Sequence, residues 1–170
     1  VVVLFGGCNG SRLGDTGEWH GSAWAQRSPP GPSGRQYLAL AYHATRQRVM
    51  MYGGQTGACS TCREDDTWDW DGTAWTLLGD GQASIRDQHA LVYDTVNQRL
   101  FVFGGYAGGG LVLNDTWVWR SNLAGDLDGD GAVGLSDMAL LLSHFGMESG
   151  ATPGDGDLDG DTDIDLSDLT

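Results

Sequence analysis

Arg35–Gly54, RQYLALAYHATRQRVMMYGG, and Arg86–Gly105, RDQHALVYDTVNQRLFVFGG, align without a gap at an offset of 51 residues. Asp66-Thr67-Trp68-Asp69-Trp70 recurs as Asp115-Thr116-Trp117-Val118-Trp119. Trp70-Asp71-Gly72-Thr73-Ala74-Trp75 echoes Trp19-His20-Gly21-Ser22-Ala23-Trp24, again 51 residues apart. Independent landmarks that share one period mark repeated structural units over the first 120 residues.

Each unit reads as four short strands. The segment ending at Tyr42 or Tyr93 alternates apolar and small residues, and Val49–Tyr52 and Leu100–Phe103 are continuous apolar runs bounded by turn residues, as buried strands require. The Gly-Gly that follows lets the chain leave the strand with unusual dihedrals and approach a neighbour closely. Trp68 and Trp70 share one face of a third strand, as do Trp117 and Trp119. A turn at Asp71-Gly72 or His20-Gly21 then reverses the chain into a fourth strand at Trp75 or Trp24. Helical periodicity is absent, so a mainly β fold is expected for residues 1–120.

An apolar strand ending in Gly-Gly, then Asp-Thr-Trp-x-Trp, then a further Trp, at a period near 50, resembles the kelch repeat. That resemblance implies β-propeller blades. The first unit departs from it: Asp15-Thr16-Gly17-Glu18-Trp19 lacks one packing aromatic and gains local flexibility. Residues 1–28 supply the last three strands of one blade, 35–80 a full blade, and 86–120 the first three strands of another. Propellers close with roughly 4–8 blades, so about two and a half blades are expected to be the end of a longer propeller. Ala124 stands where the period would place a Trp, and the opening Val1-Val2-Val3-Leu4-Phe5 reads as an internal or N-terminally truncated start. Left with unpaired strand edges, such a piece is expected to associate.

Charge divides the chain near residue 121. Residues 1–120 carry 9 Arg and 11 acidic side chains, whereas 121–170 carry 12 acidic side chains and no Lys or Arg. This argues against nucleic acid or an anionic membrane surface as partner. No apolar run approaches the roughly 18–20 residues of a membrane span.

The acidic segment holds aspartates at two-residue spacing, written twice, 31 positions apart. Carboxylates this close repel one another unless a cation sits among them. A calcium loop uses oxygens from positions 1, 3 and 5, a backbone carbonyl at 7, often a water at 9, and a carboxylate at 12, with Gly at 6. The first copy supplies Asp126, Asp128, Asp130, the Ala132 carbonyl and Asp137, with Gly131 at position 6. For the second, a start at Asp155 would put Leu166 at position 12, where it cannot ligate. A start at Asp157 gives Asp159, Asp161, the Asp163 carbonyl, Asp165 and Asp168. That register places β-branched Thr162 where Gly is preferred, so backbone strain is expected there. After the first loop, Met138, Leu141, Leu142 and Phe145 form one apolar helix face, with Gly146 at its C-terminal end.

Two calcium half-sites, each ending in Asp rather than Glu, resemble the type I dockerin module, a small α-helical, EF-hand-like fold spanning residues 121–170. The resemblance implies Ca2+ as cofactor and a cohesin-like partner contacted by Leu135, Ser136, Leu166, Ser167 and the following helix. The departure from the pattern is the absence of any Lys or Arg. With the sequence ending at Thr170, the second site is expected to be the weaker, so calorimetry should find one dominant calcium event that depends on Asp137. The plainer alternative is a calcium-stabilised spacer or surface tail.

Cys59-x-x-Cys62 lies in a loop of the full blade, with Cys8 in the corresponding loop before it. A Cys59–Cys62 disulfide is favoured over free thiols in an oxidising compartment, and three thiols without a nearby His pair make a poor zinc site. His20, His43, His89 and His144 share no motif and read as structural. The Trp pairs could stack sugars, but their place in every repeat favours blade packing. Gly108-Gly109-Gly110 reads as a loop tip.

Together these readings predict an extracellular or cell-surface modular protein without catalytic residues. A propeller provides a platform for a protein or carbohydrate ligand, and a calcium-loaded module docks or anchors it, in the setting of a polysaccharide-degrading assembly. The competing class is a fragment of an extracellular enzyme, a kelch-type oxidase or glycoside hydrolase-associated protein, whose catalytic residues lie elsewhere.

Overall fold

The computed structural model describes residues 1–59, 61–79, 83–97, 99–119, 125–127, 133–147, 149–151, 157, 160–162 and 164. The chain forms two compact units, Val1–Trp119 and Arg120–Thr170. It is mainly β, with one helix among the described residues. None of the described helices is long and apolar enough to cross a membrane.

Unit 1 contains three antiparallel sheets. The first joins β1 (Val2–Phe5), β2 (Thr16–Trp19) and β3 (Trp24–Arg27). The second joins β4 (Ala39–His43), β5 (Arg48–Gln55), β6 (Arg63–Trp70) and β7 (Trp75–Gly79). The third joins β8 (Ala90–Asp94), β9 (Arg99–Gly108) and β10 (Leu111–Trp119). Neighbours in sequence are neighbours in each sheet. The Asp71 carboxylate accepts the Thr73 and Ala74 amides at 2.7 and 2.8 Å and fixes the β6–β7 turn, with Gly72 at φ +95°.

Gly6-Gly7 follows the end of β1, but the pairs Gly53-Gly54 and Gly104-Gly105 do not end their strands. β5 runs on through Gly53 and Gly54 to Gln55, with a register shift between Tyr52 and Gly54. Both glycines have positive φ, so they bulge the strand and let it resume. The close approach is real: a Cβ on Gly53 would lie 2.7 Å from the Arg86 carbonyl oxygen. Gly109 and Gly110 turn the chain between β9 and β10, while Gly108 is still paired in the strand.

Because side chains alternate across a strand, each sheet has an apolar side for each neighbour. Met51, Trp70 and Trp75 pack with Phe5 of the first sheet, and Met50 and Tyr52 pack with Leu91, Leu100, Val102 and Trp119 of the third. The backbone repeats its ties as well. Gly7 donates to the Arg35 carbonyl (2.8 Å) and Arg35 to that of Leu13 (2.9 Å); Gly54 donates to Arg86 (2.9 Å) and Arg86 to Glu64 (3.2 Å).

Two buried arginines organise the sheets. The Arg35 guanidinium donates to both Asp66 carboxylate oxygens, to the Gly53 carbonyl (3.0 Å) and to Ser33. Arg86 makes the same set with Asp115 (2.8 and 2.9 Å), Gly104 (2.9 Å) and Ser84. Charge burial is costly unless every donor is matched, and here the carboxylate, carbonyl and hydroxyl together match the fork. Bonding to Arg86 holds the Asp115 carboxyl well below its usual range. Cys59 and Cys62 are joined by a disulfide, and Cys8 is free and exposed.

In unit 2, α1 (Leu135–His144) starts after Gly134 and ends before Gly146, whose φ is +92°. Leu141, Ala151 and Ile164 form a small core, flanked by Leu127 and Met147. Ile164 donates to the Met147 carbonyl and accepts from Gly146, both at 2.9 Å, and Ala151 donates to the Thr162 carbonyl at 3.0 Å.

Candidate metal centre

The aspartate loops lie in unit 2. Of the carboxylates singled out from the sequence, Asp126, Asp137, Asp157 and Asp161 are described. Asp128, Asp130, Ala132, Asp159, Asp163, Asp165 and Asp168, with Leu166 and Ser167, lie outside the described residues. Among the described residues no group of three or more His, Cys, Asp or Glu is arranged to hold a metal ion.

Asp137 is the third residue of α1 and is buried. Its Oδ2 accepts the Gly134 amide at 2.7 Å, satisfying an amide at the helix start that has no partner within the helix. Its Oδ1 accepts the Leu127 amide, also at 2.7 Å. One carboxylate thus ties the first residues of the loop to its last, across ten positions of sequence. On donor chemistry, these oxygens fit a hard, oxygen-seeking ion such as calcium.

Asp157 is also buried, and the chain curls over it. Its Oδ1 accepts the Gly160 amide at 2.7 Å and its Oδ2 the Thr162 amide at 3.2 Å. Thr162 has φ +75°, the left-handed conformation that costs a β-branched residue most. The strain expected at this position is therefore present in the backbone. Fully buried Ile164 and the bonds to Met147 and Ala151 hold the segment in place against it.

The helix face differs from its sequence pattern. Only Leu141 enters the core; Met138, Leu142 and Phe145 are exposed, and Leu135 is 86% exposed. At 3.6 residues per turn, Leu141 lies at one border of the apolar stripe, so the small core reaches that border alone. Ser136 is exposed beside Leu135. Periodicity could reveal the stripe but not the width of the core that faces it.

No protein-family model matches the chain. It is 28% identical over 133 residues to the dynein alpha chain of the flagellar outer arm of Chlamydomonas reinhardtii, an alignment covering 68% of this chain and 3% of that protein. The solved structure of YjhT superposes with a TM-score of 0.52 at 16% sequence identity, over 67% of this chain and 38% of that chain. The chain therefore spans well under two thirds of the length of either. At that identity the likeness to YjhT concerns the fold alone.

Proposed function

We propose that this is a non-catalytic, extracellular or cell-surface modular protein. In this reading residues 1–120 form kelch-type propeller blades that present a binding platform, and residues 121–170 form a dockerin-like module that binds calcium and docks the whole. The observation that carries the reading is helix α1, which buries one large apolar residue and leaves three exposed beside Ser136, with exposed Phe145 just past its end. Monomeric surfaces rarely keep a contiguous apolar stripe without a partner for it.

Calcium would be held in the first loop by Asp126, Asp128, Asp130, the Ala132 carbonyl and Asp137. In the second it would be held by Asp157, Asp159, Asp161, the Asp163 carbonyl, Asp165 and Asp168. The ion supplies positive charge that relieves repulsion among these carboxylates; it takes part in no reaction. The residues that meet the partner are Leu135 and Ser136, with Leu166 and Ser167 as their counterparts, and the partner is cohesin-like. The Cys59–Cys62 disulfide supports an oxidising compartment. Three similar sheets, with a fold likeness to a much longer chain, support the propeller reading.

A pull-down with an immobilised cohesin module, run with calcium and with chelator, tests the docking claim. Capture with calcium, lost on chelation and on Leu135→Asp, is the expected result. Calcium binding by calorimetry without cohesin capture would leave the spacer reading in its place. No calcium binding at all would end both.

A further inference from the structure

We propose that the junction between the first and second sheets of unit 1 binds the carboxylate of an acidic sugar, with Arg12 as the residue that recognises it. The inference names a ligand class for the binding platform proposed above. It involves neither calcium nor the docking of unit 2, so either claim can fail alone.

Two junctions in unit 1 share one backbone and differ in charge. Arg12, Gln36 and Gln55 at the first stand 51 residues before Arg63, Asp87 and Tyr106 at the second. Gln36 and Gln55 exchange both main-chain bonds, at 3.0 and 2.8 Å, and so do Asp87 and Tyr106, at 3.1 and 2.9 Å. At the second junction the arginine is buried and neutralised. Arg63 Nε lies 2.9 Å from Asp87 Oδ2, and the guanidinium sits over the Tyr106 ring, 4.7 Å from its centroid.

At the first junction an amide stands in the place of that acid. The Gln36 side chain donates to Gln55 Oε1 at 2.8 Å. Arg12 Nη2 donates to the same Oε1 at 3.0 Å and to the Gly57 carbonyl at 3.3 Å, both uncharged acceptors. Its Nε is buried without a partner. Its Nη1 meets the Cys8 Sγ at 3.5 Å, and a thiol sulfur is a weak acceptor. Among the described residues no ion pair joins Arg12 to a carboxylate. At each junction the side chain in question comes from the sheet that follows the arginine. For Arg12 that is the second sheet, which offers Gln36, so the lack of an acid is internal to unit 1.

A half-buried guanidinium without an anion is poorly compensated, and its planar fork suits a carboxylate. The open edge is Nη1, on the exposed side beside Cys8. A carboxylate arriving there replaces a weak sulfur contact with a charge-assisted bond. The flanking amides choose the rest of the ligand. Gln55 Oε1 is already taken by two donors, so Gln55 offers its N–H groups, while Gln36 offers its carbonyl oxygen. A donor and an acceptor beside the cation match hydroxyls next to a carboxylate, which is the pattern of a sugar acid.

Titration calorimetry of the full chain with glucuronate, in buffer with chelator, tests this against glucose as the neutral control. Glucuronate should bind and glucose should not, and the affinity should fall as salt rises. Arg12→Gln should weaken binding roughly tenfold or more, and Arg12→Lys should keep part of it. Gln36→Asp gives Arg12 the acid that Asp87 gives Arg63. It should abolish binding while the thermal midpoint of unit 1 stays level or rises, which separates a lost ligand site from a lost fold. A parent that binds glucuronate no better than glucose overturns the proposal, as does a Gln36→Asp variant that binds as the parent does. Preference for a polyglutamate peptide over glucuronate overturns the assignment to a sugar.

Discussion

The two units solve the problem of charge in opposite ways. Unit 1 pairs its buried and half-buried carboxylates with a cation or an indole: Asp66 with Arg35, Asp69 with Arg46, Asp87 with Arg63, Asp115 with Arg86, and Glu18 with Arg27 and Trp70. Burial pushes the Glu18 carboxyl up, but the bonds from Trp70 and Arg27 outweigh it and hold it below its ordinary value. Unit 2 has no Lys or Arg once Arg120 is passed. Among its described residues the buried carboxylates, Asp137 and Asp157, accept backbone amides. Amides satisfy hydrogen bonding but leave the net charge in place. The difference teaches that unit 1 carries its counter-charges in its own sequence, while beyond Arg120 unit 2 carries none, which is the charge the proposed calcium would supply.

Chelation should separate the units most sharply. With free calcium about a hundredfold above its Kd, linkage stabilises a folded binding unit by about 2.7 kcal/mol. Calorimetry should show two transitions with calcium and, after chelator, loss of the one from unit 2 with the other unmoved. A single transition insensitive to chelator would break the comparison.

Arg86→Ala should act on unit 1 alone. The change strips the donor from the Gly104 and Ser84 carbonyls, and a buried acceptor left without its partner costs about 1–3 kcal/mol, while half-exposed Asp115 can turn to water. The urea midpoint of the unit 1 transition should fall accordingly while that of unit 2 stays put.

Acid should also weaken unit 1. Burial, with nearby Arg46 and Arg86, lowers His43 and His89 to about 4 from an ordinary 6.5. Their folded-state pKa lies below the unfolded one, so the unfolded chain takes up protons first. Stability is thus complete above about pH 6.5 and declines toward about pH 4. Further acid then removes the Arg86–Asp115 contribution, which is complete above the ordinary carboxylate value of 3.8 and lost as the folded-state value is passed. Urea midpoints across pH check this, and a His43→Gln, His89→Gln double variant should flatten the upper part of the decline.

Reduction of Cys59–Cys62 should have the smallest effect. A bridge between residues three apart constrains little of the unfolded chain, about 1–2 kcal/mol. A thermal shift confined to unit 1 is expected.

Much of this architecture could be read from the residues. The three-, four- and three-stranded sheets follow from the 51-residue period, and the strain at Thr162 follows from loop spacing and the sterics of a branched Cβ. The buried clamps were not legible. Arg35 and Asp66 each appear as a landmark of the repeat, but they are 31 residues apart and no periodicity says that they meet. Glu18 stands at the open x position of Asp-Thr-Trp-x-Trp, which assigns it no role; in the fold it is the acceptor for Trp70 of the next sheet. In the aspartate loops, spacing suggested ligands but could not show that Asp137 and Asp157 also hold their own backbone. Pairing across sheets and amide-to-carboxylate bonds are settled by tertiary geometry, which a one-dimensional pattern does not carry.

The arginine clamp also sets where this chain can be cut and rejoined. Arg86 bonds backward through its main chain to Gly54 and Glu64 and through its side chain to Ser84, and forward through its side chain to Gly104 and Asp115. A graft that parts Ser84 from Asp115 leaves a guanidinium or a carboxylate without its complement. A transferable module must therefore begin before the serine and end after the aspartate, and its boundaries belong to charge pairing rather than to the ends of strands.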